Sequence, residues 1–419
     1  MTPAPMIEVA ESGPLEGEVA ISGAKNSVLK LMAASLLVPG RTVLLNVPDI
    51  TDVTDMAELL GAMGCAVTRD GGRLMIDRPV DLNPEAPYEL VESMRASIEV
   101  LGPLLAGVGR ARVALPGGDD FGHRPIDLHL AAFEAMGAHI TSEHGYVEAT
   151  AERLLGTEVN LEFPSVGATE NVMMAATLAK GTTVIENAAR EPELSDLASM
   201  LNRMGANITG IGSSRLVIEG VEELSTVEHT VIPDRIEAAT FLVALGVTGG
   251  ELTLRGARHD HMDMLITKLG STGMRVSPTD DGLWAMAPER PRSTDVSTLP
   301  YPGVATDYKP LLVALLCVAE GTGIVTENIF GGRFRYVSEL VRMGADIRVE
   351  GHHAVVRGCE RLSAAPVRAP DIRAGAALVL AALRADGVTH IADAHHIDRG
   401  YEDFVGKLSR IGATIRRIG

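Results

Sequence analysis

The chain has 419 residues, a length that suggests two or three domains, each with ample core. Its 55 acidic against 37 basic residues leave a net charge of −18, which argues against an extended nucleic-acid or anionic-membrane surface, so an anionic ligand needs a local basic pocket. Cys65, Cys317 and Cys359 are too few and too scattered for a disulfide framework or a zinc site.

The start, Met1-Thr2-Pro3-Ala4-Pro5, has neither a basic region nor an apolar core of the kind that targets a chain for export. The longest apolar runs, such as Leu311 to Ala319, fall far short of a bilayer span. A soluble protein of a reducing cytoplasm is expected. From Asn26 to Leu37 an almost uniformly apolar segment predicts a buried helix, followed by a β-branched strand over Thr42 to Val47. The same pair returns at Ala168 to Ala179 with Thr182 to Glu186, and at Ala374 to Ala385 with Thr389 to Ala392.

A second phrase recurs between these pairs: Met63-Gly64-Cys65, Met136-Gly137-Ala138, Met204-Gly205-Ala206, Thr272-Gly273-Met274, Met343-Gly344-Ala345 and Ile411-Gly412-Ala413. The glycines lie 73, 68, 68, 71 and 68 residues apart. An amphipathic segment precedes each, clearest in Leu194, Leu197, Leu201 and Met204, and a short alternating segment follows, so each glycine caps a helix that leads into a strand. The chain therefore reads as six units of strand, helix, strand, helix and closing hairpin. The stretch 222–233 falls at their midpoint and divides them three plus three.

Polar residues stand at the start of the first helix in each unit: Lys25-Asn26, Arg95, Ser165 to Thr169, Asp234-Arg235, Asp307 and Arg373. A later set precedes the second helix: Asp119 to Arg124, Arg190-Glu191, Arg333 and Asp398-Arg399. If the units pack with like ends together, these loops and helix N-termini converge on one cleft. That cleft suits one or two anionic substrates, gripped by guanidinium groups and helix N-termini, with carboxylates for proton transfer. The glycine-rich stretch Pro116-Gly117-Gly118-Asp119-Asp120-Phe121-Gly122-His123-Arg124 reads as a mobile lip. His259-Asp260-His261 with Asp263 superficially resembles a metal site, but has no fourth ligand fixed by spacing and is read as helix capping. His352-His353 is read as a hairpin tip.

Seven motifs, in order, carry a family resemblance: Gly23-Ala24-Lys25-Asn26-Ser27; Arg95-Ala96-Ser97; Pro116-Gly117-Gly118 with Arg124-Pro125-Ile126-Asp127-Leu128; Ser165-Val166-Gly167-Ala168-Thr169-Glu170-Asn171; Asn187-Ala188-Ala189-Arg190-Glu191-Pro192; Tyr301-Pro302-Gly303 with Thr306-Asp307; and His396-Ile397-Asp398-Arg399-Gly400-Tyr401. From about residue 6 to the C-terminus the chain resembles the UDP-N-acetylglucosamine enolpyruvyl transferases. EPSP synthases share the general architecture but not this set.

The resemblance implies an α/β fold of two inside-out barrels, with six βαβαββ repeats arranged three plus three. The first barrel would span 24–231, and the second 1–23 with 232–419. It implies transfer of enolpyruvyl from phosphoenolpyruvate to the 3-hydroxyl of UDP-N-acetylglucosamine by addition and elimination. That reaction is the first committed step of peptidoglycan synthesis. No metal or organic cofactor is implied, nor any nucleic-acid, membrane or obligate protein partner.

By the same resemblance Lys25, Arg124 and Arg399 hold the phosphate and carboxylate of phosphoenolpyruvate, and Arg95 and Arg373 complete the cationic pocket. Asp307 is the general base at the 3-hydroxyl, and Asn26 binds near the sugar. Arg124, Pro125, Ile126, Asp127 and Leu128 grip the uracil. Ser165, Val166 and Gly167 take the diphosphate and Ile329 the N-acetylglucosamine, with Arg333 and His396 in support. Asp119 stands where most relatives carry the cysteine that protonates the vinyl carbon and that fosfomycin alkylates; a carboxylate is a far poorer nucleophile, so insensitivity to fosfomycin is expected. Phe163 replaces a lysine common near the diphosphate. The alternatives are transfer to another uridine nucleotide in a specialised pathway, and a silent UDP-sugar-binding regulator.

Overall fold

The computed structural model describes residues 5–91, 94–115 and 126–419. The described chain forms two compact units, one of residues 23–91, 94–115 and 126–232, the other of 5–22 and 233–419.

In the second of these units three helices are buried along their whole length: Arg235–Thr248, Lys309–Val318 and Ile372–Ala382. A helix that is apolar on every side has no face to offer water, so it belongs in the middle of a core. Around these helices stand four-stranded sheets whose strands alternate, as in Gly282–Ala287, where Leu283, Ala285 and Ala287 face inward. The other unit repeats the arrangement with Lys25–Ala34, Leu101–Val108 and Val166–Ala176 inside. Helices within and half-exposed sheets without are the inside-out α/β architecture.

Among the described residues each unit has three such sheets, and all six share one order. A parallel edge strand comes first, then the strand that follows the buried helix, then two further antiparallel strands, which in five of the six are the arms of one hairpin. Residues Gly64, Gly137, Gly205, Gly273, Gly344 and Gly412, which end the second helices, all have φ between 87° and 109°. That region is closed to most L-residues, which explains why the glycine is what recurs.

Two departures from strict repetition fix how the chain is threaded. Strand Leu15–Ala20 precedes the Lys25–Ala34 helix, yet it pairs in parallel with Gly250–Arg255. Strand Glu228–Thr230 precedes the Arg235–Thr248 helix, yet it pairs with Val43–Leu45 of the first sheet. The stretch 222–233 is thus more than a boundary, since part of it is a sheet edge. In the sixth sheet, Met6–Ala10 lies antiparallel between Val388–Ala392 and Ile415–Ile418, replacing a hairpin arm that the C-terminus lacks.

Among the described residues no helix is long and apolar enough to cross a membrane, and no group of three or more His, Cys, Asp or Glu side chains could hold a metal ion. The His259 region differs from its expected role. The helix Asp263–Ser271 has Met262 at its N-cap with no side-chain cap bond. His259 instead lies 2.9 Å from Asp263, and Asp260 pairs with Arg258 at 2.7 Å. His352 and His353 do lie at a hairpin tip, with His353 opening the strand His353–Arg357.

Candidate functional site

In the unit built on residues 23–232, the expected residues gather at the N-terminal ends of the buried helices. Lys25 opens the Lys25–Ala34 helix, and its ammonium lies 2.8 Å from the carboxylate of buried Asp52, in the first turn of the Thr51–Ala62 helix. Asn26 follows on the same turn and gives its carbonyl to Lys30 Nζ at 2.8 Å. Arg95 opens the short 3-10 turn Arg95–Val100 that leads into the Leu101–Val108 helix.

Ser165 is the N-cap of Val166–Ala176, its hydroxyl accepting from Ala168 N at 3.3 Å. Ile126 is the N-cap residue of Asp127–Ala135, with Asp127 exposed and Leu128 half-buried. His129 and Asn171 join these two helices. Asn171 accepts from Gly102 N at 2.7 Å and donates to Ile98 O at 2.9 Å, which fixes its amide orientation. Its Nδ2 therefore donates to His129 Nδ1 at 3.1 Å, leaving the ring proton on Nε2. Burial, then the Arg95 charge, pushes the His129 imidazolium pKa down to about 4, so the ring is neutral at pH 7. Gly167 lies against this ring: a Cβ there would come within 2.8 Å of Glu99 Oε1 and 3.2 Å of the His129 ring. The structure thus brings Ile126 to Leu128 and Ser165 to Gly167 together as two helix N-termini, each of which favours an anion. Phe163, two residues ahead of Ser165, is exposed.

Beneath them lies a buried acidic set that sequence reasoning did not single out. Lys30 sits 3.4 Å from Glu170, and burial together with Glu170 lifts the Glu99 carboxyl well above its usual range. Glu170 is raised to about 7, chiefly by burial and against the pull of Lys30. These residues face inward from helices whose apolar pattern hides them.

In the other unit the expected carboxylate and two expected arginines meet. Arg333 NH1 donates to Asp307 Oδ1 at 2.7 Å and to Thr306 Oγ1 at 3.2 Å. Arg373 Nε lies 3.8 Å from Asp307 Oδ2. Burial alone would raise the Asp307 carboxyl, but Arg333, Arg373 and Arg235 more than offset it and hold it well below the usual carboxylate range. Arg373 is the second residue of the Ile372–Ala382 helix, whose N-cap Asp371 accepts from Arg373 N at 2.9 Å and Ala374 N at 2.8 Å. The guanidinium of Arg373 lies 5.1 Å from the Tyr401 ring centroid, and its NH1, though buried, has no hydrogen-bond partner among the described residues. A buried guanidinium N–H without an acceptor is costly unless a ligand supplies one. Ile329 is half-buried, with its N–H bonded to Glu327 at 2.8 Å. Arg399 follows the short helix His395–Asp398 and is half-buried, as is His396. Asp119, Arg124 and Pro125 lie outside the described residues.

The EPSP synthase family, described as 3-phosphoshikimate 1-carboxyvinyltransferase, matches residues 9–408. A UDP-N-acetylglucosamine 1-carboxyvinyltransferase of Nocardia farcinica is 52% identical over 411 residues, covering 97% of this chain and 96% of the relative. A protein of the same name from Corynebacterium jeikeium is 50% identical over 404 residues, covering 96% and 97%. The chain belongs to the EPSP synthase family, among its UDP-N-acetylglucosamine 1-carboxyvinyltransferases.

Two solved structures carry the same fold. The crystal structure of the enolpyruvyl transferase NikO from Streptomyces tendae superposes with a TM-score of 0.88 at 27% identity, covering 99% of both chains. An EPSP synthase structure from Acinetobacter baumannii gives 0.76 at 19% identity, covering 99% of this chain and 100% of that one, and bears on the fold alone. The residues given no role from sequence within this family frame are Asp52, Glu99, His129, Glu170, Lys309 and Glu327, of which Glu170 alone lies in a quoted motif. Each is a charged or titratable group in or next to a helix or strand, whose partner lies 18 or more residues away along the chain, and only pairing in space distinguishes it from a solvated side chain.

Proposed function

We propose that this protein transfers the enolpyruvyl group of phosphoenolpyruvate to the 3-hydroxyl of UDP-N-acetylglucosamine, releasing phosphate, as the first committed step of peptidoglycan synthesis. The observation that carries the reading is the Asp307, Arg333 and Arg373 constellation, an ionised carboxylate beside buried guanidinium groups, one with an N–H awaiting an acceptor. The names borne by relatives at 50 to 52% identity over nearly the whole chain support the acceptor.

The chemistry proceeds by addition and elimination. Asp307 accepts the proton of the 3-hydroxyl as its oxygen bonds to C2 of phosphoenolpyruvate, while Asp119 delivers a proton to C3. Loss of a proton from C3 then expels phosphate and restores the double bond in the enol ether. Lys25, Arg124 and Arg399 hold the phosphate and carboxylate, with Arg95 and Arg373 offsetting the repulsion between two anionic substrates. Asn26 and Ile329 bind the sugar, Arg333 orients Asp307, and Ser165, Val166 and Gly167 take the diphosphate. Arg124, Pro125, Ile126, Asp127 and Leu128 hold the uracil.

Asp119 must retain a proton to serve as the acid, although a free carboxylic acid ionises near pH 4 and a thiol near 8.5. An anion beside a carboxyl raises its pKa and a cation lowers it, so the proposal requires the bound anionic substrates to keep Asp119 partly protonated. A carboxylate does not open the fosfomycin epoxide readily, so the enzyme is assigned as fosfomycin-insensitive. The reaction is assigned to the cytoplasm, in keeping with three free cysteines. The test is product structure. Proton and carbon NMR of the reaction mixture should show an enol ether on O3 of the N-acetylglucosamine; a product substituted at another position, or an unchanged nucleotide, refutes the proposal.

A further inference from the structure

Two charged groups outside the set above are buried more completely than Asp307, Arg333 or Arg373. The side chains of Lys309 and Glu327 have no solvent exposure and lie 2.9 Å apart. Glu327 Oε1 accepts from Thr298 Oγ1 at 2.7 Å, Ile329 N at 2.8 Å and Phe330 N at 3.1 Å. Its Oε2 accepts from Thr306 Oγ1 at 2.8 Å as well as from Lys309. Lys309 Nζ also donates to the carbonyl of Arg333 and lies 4.0 Å from the Phe334 ring centroid.

These bonds converge on three pieces of backbone. Thr306 is the residue before Asp307; Ile329 and Phe330 form the turn after strand Thr322–Thr326; and the Arg333 carbonyl belongs to the residue whose guanidinium meets Asp307. Glu327 therefore fixes Asp307 from behind through Thr306, and Lys309 fixes Arg333 through its backbone. A buried ion pair is weak evidence for stability, because neutral residues of similar shape often replace one without loss. What five donors on one carboxylate do supply is a single geometry.

We propose that Lys309 and Glu327 are positioning residues that hold Asp307 and Arg333 in register for proton transfer. The inference rests on the enolpyruvyl-transfer reading for its kinetic consequences but not for its geometric one. Misplacing a reacting group by about 1 Å costs on the order of 100-fold in rate.

The test is the double variant Lys309→Met/Glu327→Gln, which removes both charges and leaves their sum at zero. Three quantities are measured: the cooperativity of urea unfolding, kcat against KM for both substrates, and the titration of the Asp307 carboxyl by carbon NMR in the substrate-free protein. The last is assigned by its loss in Asp307→Asn. The expected result is a folded protein with kcat lowered about 100-fold, KM values within about threefold of the parent, and Asp307 titrating at higher pH because Arg333 has moved away. Parent kcat and parent Asp307 titration in the folded double variant overturn the proposal.

Should the double variant not fold, Thr306→Val cuts the link from Glu327 to the Asp307 turn and leaves the ion pair intact. It should lower kcat about tenfold and move the Asp307 titration in the same direction; no change in either overturns the proposal. If the parent protein itself transfers no enolpyruvyl group, the enzymatic reading fails, while the Asp307 titration still decides the positioning claim.

Discussion

Arg333 NH1 stands 2.7 Å from Asp307 Oδ1, so the carboxylate expected to act as base is bound by a buried guanidinium in the free protein. Its low pKa means that Asp307 is fully ionised at neutral pH and, in the free protein, only weakly basic. An anionic substrate that draws Arg333 or Arg373 toward itself relieves that pairing and raises the basicity of Asp307 when it is needed. Asp307→Asn should lower kcat by about 10²- to 10⁴-fold. Arg333→Lys should also lose activity, because the lysine side chain is one bond shorter and does not carry its ammonium to the place where Arg333 NH1 meets both Thr306 and Asp307. Steady-state kinetics of both variants checks this; parent kcat in the Arg333→Lys variant contradicts it.

The same pair sets a sign for acid stability. A carboxyl whose folded pKa lies below its unfolded value of about 3.9 adds stability above that value and loses it as pH falls further. Urea unfolding between pH 5 and 2 should show a shallower loss in Asp307→Asn than in the parent. Parallel curves would remove Asp307 from the acid-sensitive set.

His129 predicts a second, separable window. Its folded pKa of about 4 lies below the unfolded value of about 6.5, so its contribution is complete above pH 6.5 and lost as pH falls toward 4. The shift corresponds to about 3 kcal/mol. His129→Gln should flatten the stability profile between pH 6.5 and 4, at the cost of a lower plateau if Gln misplaces Asn171. An unchanged slope across that window contradicts the assignment.

Glu237 gives the opposite sign. Its carboxyl is raised to about 7, mainly by burial, although Lys407 Nζ lies 2.6 Å from Oε1 and Ser22 N donates to Oε2 at 2.7 Å. Its contribution is full below the unfolded value of about 4.3 and declines as pH rises through 7. Lys407→Met strands a buried carboxylate, and should cost about 3 to 5 kcal/mol at pH 8 and clearly less at pH 5, where Glu237 takes up a proton. Equal losses at both pH values would show that the ion pair does not carry the effect.

Asp119 carries a prediction that depends only on chemistry. The parent protein incubated with fosfomycin and UDP-N-acetylglucosamine should keep its activity and its mass. Asp119→Cys should show time-dependent inactivation and a covalent mass increase. Inactivation of the parent, or an adduct on Asp119, contradicts the expectation.

The fold was legible in the chain to an unusual depth because its two strongest signals are physical. Six glycines recur where only a positive φ ends a helix, and six helices lack a polar face because they are wrapped by sheet. The exchange of edge strands by Leu15–Ala20 and Glu228–Thr230 was not legible from periodicity, since a strand's pattern does not name its partner. Asp307, Arg333 and Arg373 stood out one by one as charges at the entries of helices, but their mutual pairing appeared only in three dimensions. Lys309 and Glu327 left no trace: each reads as an ordinary charge beside an apolar run, and 18 residues separate them.

Transfer of an enolpyruvyl group to UDP-N-acetylglucosamine is read out by the phosphate it releases. Purified protein is given phosphoenolpyruvate with each of a panel of uridine nucleotides, and free phosphate is followed with time. Phosphate is expected with UDP-N-acetylglucosamine alone, one equivalent for each acceptor consumed. Release with a different nucleotide in preference, or with none of them, contradicts the assignment.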